Sequence, residues 1–133
     1  MREFTLETER RTHVVDVTRQ VRDCVDGGEA AAVVVFVPHT TGGVVVQEHA
    51  GSDPDVAHDL EMALERVVED GWPWKHNEPG NVNPWAHARA ALTATSVVIP
   101  LVDGKLALGV YQGIFFCELD GPKTRRVYVA ELR

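Results

Sequence analysis

The sequence predicts an α+β fold: mostly antiparallel curved sheet or β-sandwich with three helices, in a single small domain spanning residues 1–133. Three features carry that expectation. Ala30 to Val37 is a wholly apolar, valine-rich run closed by Pro38, which reads as a strand buried on both faces. Pro54 to Glu69 has the spacing of an amphipathic helix. Three runs at 95–102, 105–118 and 124–132 read as strands joined by turns at Asp103-Gly104 and Asp120-Gly121-Pro122-Lys123.

In order along the chain, 2–8 and 11–15 read as short strands, the first with alternating Phe4 and Leu6. Thr18 to Val25 reads as a short helix with Val17, Val21, Cys24 and Val25 on one face and Gly27-Gly28 as its stop. Strands follow at about 30–37 and 43–48. The long helix has Ser52 or Asp53 as cap, Pro54 in its first turn and Gly71 after its end. Its predicted buried stripe is Val56, Leu60, Ala63, Leu64, Val67 and Val68. Glu61, Glu65 and Glu69 form an acidic ridge read as solvated, and His58 is read as a surface residue. Residues 71–83 are a loop rich in Trp, Pro, Gly and Asn; a further helix starts at Pro84 behind an Asn83 cap and runs to about Thr93. Gly109 and Gly113 interrupt the 105–118 strand, marking a bulge or the close approach of a ligand or neighbouring chain.

Composition narrows the function classes. Apolar residues make up 44% and charged residues 25%, enough for a true core, and the net charge is −7. That charge argues against nucleic acid and anionic membrane as partners, so an anionic ligand needs a local cationic pocket. Met1 to Arg11 is too charged for a signal peptide, and no apolar run approaches the length of a membrane span. Cys24 and Cys117 are isolated, which suits reduced thiols in a cytoplasmic protein.

The most informative segment is His39-Thr40-Thr41-Gly42-Gly43, at the end of the apolar run. It offers an imidazole, two hydroxyls and two glycines on a rigid support, and read alone it serves equally as a plain strand-to-strand turn. Six histidines are many for this chain, and His39, His76 and His87 stand at element edges. Three imidazoles plus water would make an open zinc-type site; no local pattern links them, so three unrelated loop residues fit the spacing as well. If 38–43 forms a hairpin, Glu48 and His49 end the strand opposite His39, giving an acid–base pair or simply a strand-end carboxylate. Gln112, in an apolar strand, needs a partner for its amide, either a ligand or a backbone group. Arg125 and Arg126 point to opposite faces of one strand, so at most one enters a given pocket, where its planar fork suits phosphate.

In series, these segments resemble the YjbQ-type family, the secondary thiamine-phosphate synthases, along nearly the whole chain. The resemblance runs through His39-Thr40-Thr41-Gly42, Glu48 with Ala50, Asp53-Pro54-Asp55, Trp74-Lys75-His76, Pro84-Trp85-Ala86-His87 and Ser96 to Pro100. It continues through Leu106 to Gly109, Tyr111-Gln112-Gly113-Ile114, Glu118 to Pro122 and Arg125-Arg126. It departs from the family pattern at His49 (usually Asn), at the longer Gly51-Ser52 connection, at Tyr111 (usually Trp) and at Ala94-Thr95 (usually Gly-Ser).

The resemblance implies a homotrimer with a site between subunits, able to bind a divalent metal (Zn or Mg) and small phosphorylated metabolites, with no organic cofactor. It implies a weak transferase activity that joins hydroxymethylpyrimidine pyrophosphate to thiazole phosphate, giving thiamine phosphate and pyrophosphate. On that reading His39, His76 and His87 hold metal or the leaving phosphate, and Glu48 orients a histidine. Thr40, Ser96, Gln112 and Arg125 or Arg126 contact phosphate or ring. Two other readings use the same residues: a non-catalytic trimer that binds metal or a phosphometabolite, and a metal-dependent hydrolase. Trp72, Trp74 and Trp85 around one loop suit a subunit contact as well as a core.

Overall fold

Two antiparallel sheets divide the strands of the computed structural model, which describes residues 1–80 and 82–133; Asn81, in the predicted 71–83 loop, lies outside the described residues. The elements are β1 (Arg2–Glu7), β2 (His13–Asp16), α1 (Thr18–Asp23), β3 (Ala32–Phe36), β4 (Gly42–Glu48) and α2 (Asp55–Val67). They continue with α3 (Pro84–Leu92), β5 (Ser96–Val102), β6 (Lys105–Leu106), β7 (Gln112–Glu118) and β8 (Thr124–Leu132). One sheet has the order β1-β8-β3-β5-β6 and the other β2-β7-β4. The α+β expectation holds, as does the antiparallel sandwich with three helices.

Alternation along the strands builds the layers. Leu6, Val33, Val35, Ile99, Val127 and Val129 face inward from the larger sheet onto Val44, Ile114 and Phe116 of the smaller one. Phe115 and Cys117, on the opposite face of β7, pack with Val14 against Ala57 and Leu60 of α2. Ala86 and Ala90 of α3 meet Leu119 and Leu64. Strand β7 is therefore covered on both sides. The valine run was predicted to be that strand, but β3 alternates between buried Val33 and Val35 and a solvent-facing Phe36. The long helices pack on the other sheet, so the outer face of the five-stranded sheet stays open. Phe36, Val98 and Val102 are exposed there, and Phe36 stacks on Tyr128 at 6.3 Å.

Three other expectations are corrected. The 105–118 strand is two strands, because Gln112 turns its Oε1 back to accept the Gly109 N–H at 2.8 Å and closes a loop between them. Gly113 is small because the chain itself comes close: a Cβ there would lie 2.8 Å from the His49 Cβ. Helix α2 buries Ala57 while Ala63 and Val67 are exposed, so its inward face is rotated from the predicted stripe. Glu61 sits on that inward face, where it accepts the Val14 N–H at 2.8 Å and an Arg10 N–H at 2.7 Å. The predicted solvated ridge thus loses its first member to an anchor for edge strand β2. Neither Ser52 nor Asn83 caps a helix with its side chain; Asp53 Oδ1 instead accepts the Asp55 N–H just ahead of α2. Asp103 and Gly104 have φ of 52° and 74°, as the predicted tight hairpin requires. Among the described residues no helix is long and apolar enough to cross a membrane.

Candidate functional site

Strand β3 does not form a hairpin with β4. It ends in one sheet, and Pro38–Thr41 carries the chain across to the other. Gly42 pairs with Glu118, while Glu48 pairs with Gln112 at the far end of the same ladder. Six extended steps separate Gly42 from Glu48, roughly 20 Å. The predicted pairing of Glu48 with His39 is therefore absent within one chain, and the candidate residues fall at two poles of the three-stranded sheet.

The first pole gathers the β3–β4 crossing, the β7–β8 turn and the start of α3. Arg125 points inward from β8 and is buried with Glu118. Its Nε donates to Glu118 Oε1 at 2.8 Å, and its terminal nitrogen donates to Glu118 Oε2 and to Thr41 Oγ1, the latter at 2.9 Å. Thr8 Oγ1 donates to Glu118 Oε1 at 2.7 Å, and the Asp120 N–H donates to Oε2 at 3.0 Å. Burial opposes the charge on Glu118, but these bonds outweigh it and hold the carboxyl below its ordinary value. Arg125 is thus a structural ion pair rather than an open phosphate hook. Arg126 takes the opposite face, as the alternation predicts: it is exposed, with its guanidinium 5.6 Å from the Tyr128 ring.

A second set of bonds reaches the histidines. Asn83 Nδ2 donates to Asp120 Oδ2 at 2.9 Å, which fixes the amide with Oδ1 facing His76 Nε2 at 2.8 Å. Since Oδ1 can only accept, His76 Nε2 carries its proton and Nδ1 is left to accept. The His76 and His87 rings meet edge to face, 5.1 Å between centroids. Lys123 Nζ donates to Asp120 Oδ2 at 2.6 Å; burial disfavours the Asp120 charge, yet the bonds from Lys123 and Asn83 hold its carboxyl below its ordinary value. Helix α3, which bears His87, is held by buried Arg89, whose NH2 group donates to Val68 O at 2.6 Å and Asp70 Oδ1 at 2.8 Å.

His39 takes a third position, with Nε2 facing both the N–H (3.0 Å) and the C=O (3.1 Å) of Arg126. Burial, then the Arg125 charge, pushes its imidazole below the ordinary value. Thr40 is exposed beside it, and Ser96 pairs with Phe36 on the same open sheet face as Arg126. His39 is not gathered with His76 and His87: among the described residues no group of three or more His, Cys, Asp or Glu side chains is placed to hold a metal ion. The donor set of one chain does not fit a three-histidine Zn or Mg site. The two cysteines are free; burial pushes the Cys117 thiol up to about 12, so it is no nucleophile at neutral pH.

At the second pole Glu48 Oε2 accepts from Ser52 Oγ at 2.9 Å, and His49 Nδ1 accepts the Ser52 N–H at 3.0 Å. Gln112 is exposed rather than buried, and its partner is the Gly109 backbone. The sequence reading missed Glu118 and Asp120 as site-builders and took Asn83 only for a cap. The signal available was a carboxylate ending the apolar run Ile114 to Cys117, with an arginine seven residues on.

The shifted histidines and carboxylates share one sign. Burial leads in lowering His13 and His39, and hydrogen bonds lower Glu118, Asp16 and Asp120 against burial. In each case the unfolded chain binds more protons than the folded one, so stability rises with pH. Urea midpoints should fall in two stages on acidification, first below about pH 6.5 from the histidines and again below about pH 4.5 from the carboxylates. A midpoint constant from pH 8 to pH 4 would contradict the histidine stage.

Comparison with known proteins gives one consistent result. The profile of the UPF0047 protein YjbQ-like family matches residues 2–133. A UPF0047 protein of Archaeoglobus fulgidus is 41% identical over 130 residues, covering 98% of this chain and 99% of its own. The UPF0047 protein YugU of Bacillus subtilis is 33% identical over 133 residues, covering 97% and 96%. The crystal structure of an uncharacterised YjbQ/UPF0047 protein from Clostridium acetobutylicum matches with a TM-score of 0.90 at 39% identity, over 99% of this chain and 100% of that one. A hypothetical protein from Aeropyrum pernix K1 matches with a TM-score of 0.89 at 41% identity, over 98% and 96%.

Proposed function

The chain belongs to the YjbQ-like UPF0047 family, and on that premise we propose that it is a cytoplasmic homotrimeric transferase of the thiamine-phosphate synthase type, with its site completed between subunits. The observation that carries this reading is the separation of the candidate residues. His39, His76 and His87 stand at one end of a sheet, and Glu48 and Gln112 stand roughly 20 Å away at the other. One chain cannot bring both sets to one substrate pair, whereas a neighbouring copy can. The open face of the five-stranded sheet, with Phe36, Val98, Val102 and Tyr128, is the surface a second copy would cover, and Ser96 and Arg126 lie at its end.

In the proposed reaction the thiazole nitrogen forms a bond to the pyrimidine methylene carbon. The carbon–oxygen bond breaks, and pyrophosphate leaves with the bonding pair. The protein's task is to hold two anions and offset charge on the leaving group. On this reading Arg126 and His87 meet the anions, while His76, whose Nε2–H is held by Asn83 Oδ1, presents Nδ1 as an acceptor. Asn83 and Asp120 keep His76 in one tautomer, and Arg89 holds the helix that bears His87.

Incubation with hydroxymethylpyrimidine pyrophosphate and thiazole phosphate, with and without Zn or Mg, should yield thiamine phosphate and pyrophosphate. His39→Ala and His87→Ala should each lower the rate about 100-fold or more. Unchanged output from both variants would remove this site, and a light-scattering mass of one chain would remove the shared pocket.

A further inference from the structure

A cavity of about 270 Å³ lies where the β1–β2 connection meets the end of α2 and helix α3. Its wall is Arg11, Thr12, Glu65, Glu69, Asp70 and Arg89. Drug-sized ligands fill roughly 300–1,000 Å³, so an occupant here has only a handful of heavy atoms. None of the six residues contacts substrate in the transferase site proposed above; Arg89 only anchors α3.

The charges in this wall are partly spent on one another. Asp70 gives one oxygen to each arginine: Oδ1 to Arg89 at 2.8 Å and Oδ2 to Arg11 at 3.0 Å. Arg11 also lies over the Trp85 ring, 4.1 Å from its centroid. Arg89 is buried; its Nε and Nη2 bond to Val68 O, Glu65 O and Asp70 Oδ1, and Nη1 carries none of these bonds. The glutamates are freer. Glu65 and Glu69 are in no ion pair among the described residues, and the Glu69 carboxylate takes only the Trp72 Nε1–H, at 3.1 Å on Oε2. Thr12 is the decisive member. It is 5% exposed, and its Oγ1 is buried with no hydrogen-bond partner, an arrangement folded proteins rarely keep unless something else completes it.

The wall therefore offers both signs at once: a buried guanidinium with a spare nitrogen, a hydroxyl without a partner, and two carboxylates with oxygens to spare. A simple anion would face the two glutamates, and a simple cation would leave Arg89 Nη1 unmet. A bare metal ion is poorly served, because among the described residues no group of three or more His, Cys, Asp or Glu side chains is placed to hold one. A molecule carrying both charges a bond or two apart answers every group. We infer that this cavity binds a small free α-amino acid, its carboxylate on Arg89 Nη1 and the Thr12 hydroxyl and its ammonium on Glu65 and Glu69. Charge-assisted hydrogen bonds of this kind are the strong ones. The inference does not rest on the transferase reading.

Calorimetric titration with glycine, L-alanine and L-serine tests it without turnover. At least one should bind, while propionate and ethylamine, which each keep one of alanine's two charges, should bind about tenfold more weakly or not at all. Thr12→Val and Glu65→Gln should each weaken amino-acid binding about tenfold or more. Because the Thr12 hydroxyl has no partner inside the protein, Thr12→Val should keep the melting temperature of wild type or raise it. Arg66→Ala, at an exposed position on α2 outside the wall, should bind as wild type does. The proposal would be overturned by no binding of any of the three amino acids at about 10 mM, which would leave the cavity to water. Propionate or ethylamine binding as well as alanine, both wall variants within about twofold of wild type, or a lowered melting temperature in Thr12→Val would overturn it too.

Discussion

Arg125→Ala should destabilise the protein by about 3–5 kcal/mol, because it leaves the Glu118 carboxylate buried without its cation. Glu118 has no exposed surface and Arg125 almost none. Two of the donors to that carboxylate come from the one guanidinium, which also holds Thr41 at the crossing between sheets. The loss should depend on pH in a way that identifies its cause. In the wild type the Glu118 pKa is depressed, so its contribution is present above about pH 4.5 and is lost as pH falls through the folded value. In the variant, burial without the arginine raises that pKa, so acid relieves the damage. The wild-type-to-variant gap in urea midpoint should therefore narrow below about pH 5, and a gap that widened there would show that the pair is not its source. Replacing both residues, Glu118→Leu with Arg125→Met, should recover much of the loss, because a packed apolar pair carries no desolvation cost.

Gly43→Ala should destabilise by about 2–4 kcal/mol, at or above the usual range for one added carbon in a packed site. A Cβ at Gly43 would lie 1.8 Å from Thr93 Oγ1 and 2.9 Å from the Ala94 carbonyl oxygen. The Val44 N–H donates to that same Ala94 oxygen at 2.8 Å, so the backbone cannot move away without breaking the bridge that ties the end of α3 to β4. The displacement would reach the helix that bears His87. Adding Thr93→Ala should restore part of the stability, because it removes the nearest atom and leaves the carbonyl in place. Equal melting temperatures for Gly43→Ala and wild type would contradict this account.

The candidate site was readable in parts. The edge positions of His76 and His87 and the opposed directions of Arg125 and Arg126 follow from motif and strand alternation. The bond from Asn83 through Asp120 could not be read, because it joins residues 37 apart that only the β7–β8 turn brings together. The distance between His39 and Glu48 failed for a related reason. A short link between two strands predicts a hairpin, and nothing local signals that the chain changes sheets.

Residues near in sequence wrote the local elements: the valine-rich run, the Asp103-Gly104 turn, the proline at the head of α3 and the spacing of the strands all act over a few residues. They were enough to fix the α+β class and the strand order along the chain. Sheet membership, the rotation of α2 that turns Glu61 inward, the burial of Arg125 beside Glu118 and the open face around Phe36 were settled only when the layers packed. Each of these depends on which apolar surface finds cover, and that is a competition among segments far apart in the chain.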